Sequence, residues 1–258
     1  GEDESSCRLS AGVDILVERV IRQFDLAARS AAVSTKVLPV VFTPHAIASA
    51  FMVPLSSAFN GKLVYEGASA LKGKLGKQVF DRKLSLWDDA TVEYGVSSRP
   101  CDDEGVPSQR IPLIDKGVVS HFLYDLHTAA LAGTRSTGSG GRGGGGFPKP
   151  GPTSLIIGEG EVSLESMVAG MKEGLVVEHL IGGGQGDALS GDFGGNVLLG
   201  YKVENGEMVG RVKDTMVAGN VYRDLSEIIL GDKARWVGGS LRTPWIYCPR
   251  ISVSAKGS

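Results

Sequence analysis

The chain has 258 residues, 42% of them hydrophobic, enough for one large core or two small ones. Its 27 basic and 29 acidic residues leave a net charge of −2, which excludes the basic surplus that a nucleic-acid footprint needs. No apolar run approaches the ~20 residues that cross a bilayer, the acidic opening GEDESSCRLS lacks a signal-peptide core, and the scattered Cys7, Cys101 and Cys248 point to a reducing, cytoplasmic compartment.

Residues 1–10 read as a mobile tail ahead of a single domain over 11–258. Val13, Leu16, Val17, Val20, Ile21 and Phe24 recur at helical spacing, which predicts an amphipathic helix with Glu18, Arg19, Arg22 and Gln23 on its wet side. Val37 to Phe42 reads as a short buried strand, and Pro39 suggests a sheet edge or the strand's first residues. Thr43 and Pro44 are a helix start, cap and first turn, for a helix carrying His45 and running through Phe51 and Met52. A kink or break is expected at Pro54. Gly61 to Gly76 reads as a loop with a small helical turn.

Arg110–Ile114, Asp115-Lys116-Gly117 and Val118–Tyr124 form a hairpin pattern, followed by a short helix over 125–131. The glycine-rich stretch 133–153 has almost no apolar content and reads as a flexible loop. Ser163 caps a helix through Met167, Val168 and Met171 that stops at Gly174. From Leu175 to Asn220, glycines alternate with apolar pairs, and Asn205-Gly206 marks a two-residue hairpin turn. Such glycines ask for bulges and close backbone approach around a space lined by main chain. Asn220 caps a last helix through Leu225, Ile228 and Ile229, ended by Gly231. The mixture is α+β, mostly antiparallel and barrel-like, with a few flanking helices.

Motifs that carry chemistry are missing. No histidine is followed by the glutamate of a helical zinc hydrolase. His45 reads as a half-buried helix-start residue, His121 and His127 as structural or surface groups, and His179 as undistinguished. No Gly-x-Ser-x-Gly elbow is present, and Cys248, between Tyr247 and Pro249, reads as a small buried hydrophobe. Gly67 to Lys74 is one residue too long for a phosphate loop, and Gly182-Gly183-Gly184-Gln185-Gly186-Asp187 lacks the third glycine of a dinucleotide fingerprint.

Particular strings, in order, say more: FDRKLSLWDD at 80–89, DEGVPSQR at 103–110, RSTG at 135–138, Gly174-Leu175-Val176-Val177, Ser190-Gly191-Asp192-Phe193, VENGE at 203–207 and Val217-Ala218-Gly219-Asn220. Over residues 37 to 250 the chain resembles the C-terminal half of the TldD/PmbA family, once called modulators of DNA gyrase. The resemblance implies a zinc metalloprotease of two related subunits. The TldD type carries His-Glu-x-x-x-His on a helix plus a C-terminal cysteine ligand. The PmbA, or TldE, type lacks that motif and closes the chamber. Here His45 matches the first histidine, Ala46 replaces the glutamate, Ala50 replaces the second histidine, and Cys248 falls near the place of the cysteine. His45 and Cys248 alone would leave zinc under-coordinated, so the resemblance implies the PmbA/TldE type with no catalytic residue and no cofactor in this chain. Zinc is expected on a TldD-type partner. The family's N-terminal domain is expected to be absent from the 258 residues.

The leading expectation is therefore a non-catalytic subunit that completes a peptide-degrading chamber. Gly182, Gly183, Gly184, Ser190, Gly191, Asp192 and Phe193 are expected to form part of its wall, where an extended peptide could pair with backbone. The alternative is a stand-alone binding or assembly module, self-associating as a dimer. A divergent hydrolase using His121, His127 or Cys248 is a third reading. None of these involves direct contact with nucleic acid or a membrane.

Overall fold

A five-strand ring organises the molecule. The computed structural model describes residues 1–8, 12–143, 146–184 and 186–256. In chain order its elements are α1 (Val13–Ala27), β1 (Lys36–Phe42), α2 (Pro44–Ala50), α3 (Met52–Ala58), α4 (Gly61–Glu66), β2 (Leu86–Asp89), β3 (Arg110–Asp115) and β4 (Val118–Val119). Then come α5 (Leu126–Leu131), β5 (Gly140–Gly141), β6 (Lys149–Pro150), β7 (Leu155–Ile157), α6 (Leu164–Ala169), β8 (Glu173–Ile181) and β9 (Asp192–Glu204). The chain ends with β10 (Glu207–Arg211), β11 (Thr215–Asn220), α7 (Val221–Asp224), β12 (Ile229–Leu230), β13 (Arg235–Val237), β14 (Leu241–Thr243) and β15 (Ile246–Ala255).

Strands β1, β8, β9, β11 and β15 pair in that order, and β15 returns to β1, closing a barrel in which only the β1–β8 pair is parallel. Closure removes the sheet edges that would otherwise need protection. A second sheet runs β13-β14-β7-β2-β3-β4, and β5 and β6 make a small ribbon. The α+β, mainly antiparallel and barrel-like expectation holds.

The strands alternate between two cores. Val40 and Phe42 of β1, with Leu175 and Val177 of β8, belong to the larger core, to which every barrel strand contributes. Val41 and Val176 face the other way, into a smaller cluster with Leu164, Met167, Val168, Met171 and Tyr201. This period of two is the strand's own geometry. Phe42, Phe51 and Phe193 meet at centroid distances of 5.0, 5.9 and 5.1 Å and tie α2 to the barrel.

Several sequence expectations change. Pro39 does not mark an edge, because β1 is paired on both sides. The missing N–H is accommodated by a register shift between Leu38 and Val40. The helix break comes at Phe51, one residue before α3, and Pro54 sits inside the first turn of α3, where its lost N–H costs little. Strand β4 stops at Val119, much earlier than Tyr124. Helix α6 ends at Gly170, and Gly174 lies within β8. Asn220 does cap α7, accepting from the amides of Tyr222 and Arg223, but the helix ends at Asp224 and Ile229 enters β12. Both hairpin turns form as read: Lys116-Gly117 and Asn205-Gly206 have positive φ at both positions. Within 133–153, the amide of Gly140 donates to Asp102 and β5 pairs with β6.

Helix α1 forms, and its facing departs in part from the reading: Leu16 and Val20 are half-buried and Glu18 and Arg22 exposed as expected. Val13, Val17, Ile21 and Phe24 are 65, 50, 54 and 74% exposed, while Arg19 and Gln23 turn inward. The reason lies in what the inward face meets, a buried carboxylate described next. Among the described residues no helix is long and apolar enough to cross a membrane.

Candidate functional site

The parallel pairing of β1 with β8 sets the site. Beyond Phe42 the chain turns into α2, and Thr43 fastens the turn. Its hydroxyl donates to the carbonyl of Glu178 at 3.0 Å and accepts from the amide of Ala46, while its own amide donates to the carbonyl of Val177. The capping interaction and the cross-strand bonds thus use one residue. They hold His45, the second residue of α2, over His179 of β8, with ring centroids 4.6 Å apart and planes at 33°. The ring nitrogen Nε2 of His179 is buried without a hydrogen-bond partner. Burial first, and the adjacent His45 second, pull the His179 pKa down to about 4.

Glu2 enters the same place from the opening segment, with its side chain 1% exposed. Four donors from three elements surround its carboxylate. Gln23 of α1 donates to Oε1 at 2.7 Å, and Arg235 of β13 donates to Oε2 at 2.5 Å. His45 Nε2 lies 3.7 Å and Arg19 3.8 Å from Oε2. Burial acts to raise the Glu2 pKa, but His45 and Arg235 outweigh it and bring the value down to about 2. Asp3 adds a second acid: it accepts from the amide of Gly238 at 3.0 Å and lies 3.6 Å from His45.

Beside the Glu2 carboxylate opens a cleft of about 540 Å³. Its lining combines apolar Leu164, Val176, Met208 and Trp245 with basic Arg22 and Lys233 and acidic Glu159 and Asp232. Glu178 also lines it; the side chain is buried, and burial pushes its pKa up despite the opposing pull of Arg235. The site therefore pairs one firmly ionised acid with one that resists ionisation.

The PmbA/TldA metallopeptidase C-terminal domain family matches residues 35–255. The chain belongs to the PmbA/TldD family. An uncharacterized protein of Methanocaldococcus jannaschii is 32% identical over 89% of this chain and 54% of its own length. Metalloprotease PmbA of Escherichia coli O157:H7 is 33% identical over 73% of this chain and 39% of its own length. The crystal structure of TldE from Thermococcus kodakarensis superposes with a TM-score of 0.86 at 28% identity, over 95% of this chain and 56% of that one. The chain thus spans about half the length of these relatives.

In this PmbA/TldD chain the matched metal positions are dispersed. Ala46 and Ala50 are fully buried apolar residues on α2. Cys248 is 0% exposed, pairs with Val40 in the barrel and belongs to the larger core, and burial pushes its thiol pKa up. Among the described residues, the group of three with metal-ligand chemistry is Glu2, His45 and His179, with ligand atoms within 4.8 Å of one another, and Cys248 is not a member of it. This trio does not fit zinc as arranged. Both Glu2 oxygens are already hydrogen-bonded, and two guanidinium groups flank the place an ion would take.

The seven expected wall residues stand apart from the cleft. Phe193 is 2% exposed, in the aromatic trio of the core. Gly183 is buried against α2, and Gly191 against Tyr222. Gly182 is half-buried, and Gly184, Ser190 and Asp192 are exposed, Ser190 bonding to Asp187 and Asp192 accepting from Asn220. His121 and His127 lie on the surface, as read.

Glu2, Arg19, Gln23, His179 and Arg235 escaped the sequence reading. No spacing joins them, because the five residues come from four distant segments. The one local sign was Thr43-Pro44-His45, a capped helix start that fixes where the imidazole must point.

Proposed function

We propose that this chain is a non-catalytic subunit of the PmbA/TldE type, closing a peptide-degrading chamber whose zinc is held by a TldD-type partner. The observation that carries this reading is the replacement within α2. His45 stands where the family's first histidine would, Ala46 and Ala50 offer no ligand, and the His45 ring is engaged with Glu2 and Asp3. Resemblance to a structure named TldE and to relatives named metalloprotease supports it.

The partner is supported by the outward face of α1. Its exposed apolar residues Val13, Ile15, Val17, Ile21 and Phe24 continue through Phe24 to Leu198, which share a shallow depression with His179, and Ile181 is 55% exposed. An apolar surface of this extent is a feature of association sites. The exposed Gly184, Ser190 and Asp192 are assigned to the rim of the shared chamber, and an extended peptide is the substrate. The three free cysteines support action in the cytoplasm.

Co-purification from the native source tests the reading, with a His-Glu-x-x-x-His chain expected alongside. The isolated chain should retain less than one zinc per molecule and cleave no peptide. Stoichiometric zinc, with hydrolysis abolished by His45→Ala, would refute it. The second reading, a self-associating module without protease activity, rests on the same apolar face and would be favoured if only a homo-oligomer were recovered.

A further inference from the structure

We infer that the four-donor cradle around Glu2 is a binding site for a peptide carboxylate, and that Glu2 occupies it in place of the ligand. The inference rests on the peptide-chamber reading for its substrate class, but its geometry stands alone. The cradle is built from α1, α2 and β13, none of which is adjacent in sequence to Glu2. Arg235 and Gln23 each take a different oxygen of the carboxylate, and Arg19 and His45 approach within 3.8 Å. Two guanidinium groups, an amide and an imidazole converging on one buried carboxylate form an anion receptor.

Glu2 reaches it from a stretch that lies mostly at the surface, residues 3, 4, 6, 7 and 8 being exposed, with Asp3 accepting from the amide of Gly238 and the amide of Cys7 donating to the carbonyl of Tyr94. Release of that segment would remove the carboxylate nearest to Arg19 and Arg235. The other carboxylates in the wall are Glu178, Glu159 and Asp232; burial raises the pKa of Glu178, and Glu159 already accepts from the amide of Ala234 and from Arg242.

The adjoining cleft suits the remainder of a peptide. Its apolar lining, Leu164, Val176, Met208 and Trp245, would hold side chains next to a carboxylate seated in the cradle. A free C-terminus and an Asp or Glu side chain offer the same chemistry. Glu2 then acts as an internal competitor. A segment seated nine-tenths of the time weakens the apparent affinity of an external carboxylate about tenfold.

The test measures binding of three fluorescent pentapeptides of alanine to the chain: one with a free C-terminus, one amidated, and one amidated with a central glutamate. Glu2→Ala and Glu2→Gln are each expected to tighten the free-acid or glutamate peptide about tenfold, with the neutral amidated peptide binding weakly throughout. Arg235→Met in the Glu2→Gln background should abolish the gain. Preference for the free acid would name a C-terminus as the ligand, and preference for glutamate a side chain; both support the site.

Equal binding of all three peptides, or no gain in either Glu2 variant with the fold retained by circular dichroism, would overturn it. Because the chain is tested without a partner, this outcome is separate from the search for a zinc-bearing subunit. Carboxylate binding, together with a co-purification that recovers no His-Glu-x-x-x-His chain, would sink the protease reading and leave the cradle standing.

Discussion

Two buried acids and one histidine make the stability of this chain depend on pH in opposing ways. His179 has a folded pKa of about 4 against an ordinary 6.5, so the unfolded chain binds more protons between those values. Its contribution to stability is therefore complete above pH 6.5 and is lost as pH falls toward 4. Asp88 behaves in the reverse sense. It is 2% exposed, accepts from the amides of Thr153 and Ser154, and burial pushes its pKa up to about 6 from 3.8. The folded chain binds the extra proton there, so stability falls as pH rises from 3.8 to 6. The two effects nearly offset over one window. Asp88→Asn keeps an oxygen for both amides and removes one side of the balance. It should make the loss of stability from pH 6.5 to 4 steeper by the size of the Asp88 contribution removed, on the order of 2 kcal/mol. His179→Gln should make that loss shallower, and paired urea titrations at pH 4.5 and 7 read both. Glu2 enters only lower, its contribution being lost as pH falls from 4.5 toward 2.

At the scale of elements, α1 shows how a correct helix can face partly the wrong way in a sequence reading. Its apolar periodicity is real, and apolar faces usually go inward. Here the inward face meets Glu2, so Gln23 gains a charge-assisted hydrogen bond and Arg19 an ion pair that the apolar stripe could not supply. Nothing local in Val13–Ala27 announces that acid, because Glu2 precedes the helix by a turn of chain that the sequence does not fold by itself. By contrast, Thr43-Pro44, Asn60, Asp125, Ser163 and Asn220 all cap as their residue types dictate, because a cap is decided by neighbours within three residues. The exposed stripe yields a prediction for assembly. Ile21→Glu with Phe24→Glu should change the stability of the isolated chain by less than about 0.5 kcal/mol, since both side chains already lie in water. The same pair should raise the dissociation constant for the partner, or for self-association, at least about tenfold by sedimentation. Unchanged association would remove α1 from the interface.

For the whole molecule, the glycines between β8 and β9 are legible as close-approach positions, but what they approach is not. Sequence spacing gives their backbone freedom; only closure of the barrel decides that Gly183 must lie against α2. A Cβ on Gly183 would stand 2.4 Å from the carbonyl oxygen of Ser49, and one on Gly195 would stand 3.0 Å from the backbone of Gly183. Both collisions are with main chain, so no rotamer change relieves them. Helix α2 is held on its other side by Thr43 and by the packing of Phe51 on Phe42 and Phe193, and it cannot retreat without opening the core. Gly183→Ala should therefore destabilise the chain by about 2–4 kcal/mol, a range set by overpacking against backbone. It should also lift His45 away from His179. The resulting gain of water at His179 would return its pKa toward 6.5, which imidazole proton shifts followed against pH would record. Gly184→Ala is the control, because its Cβ would meet only the Val53 side chain at 3.6 Å. If Gly183→Ala melts like Gly184→Ala and leaves the His179 titration unmoved, the barrel does not set the position of α2, and the site is held by Thr43 alone.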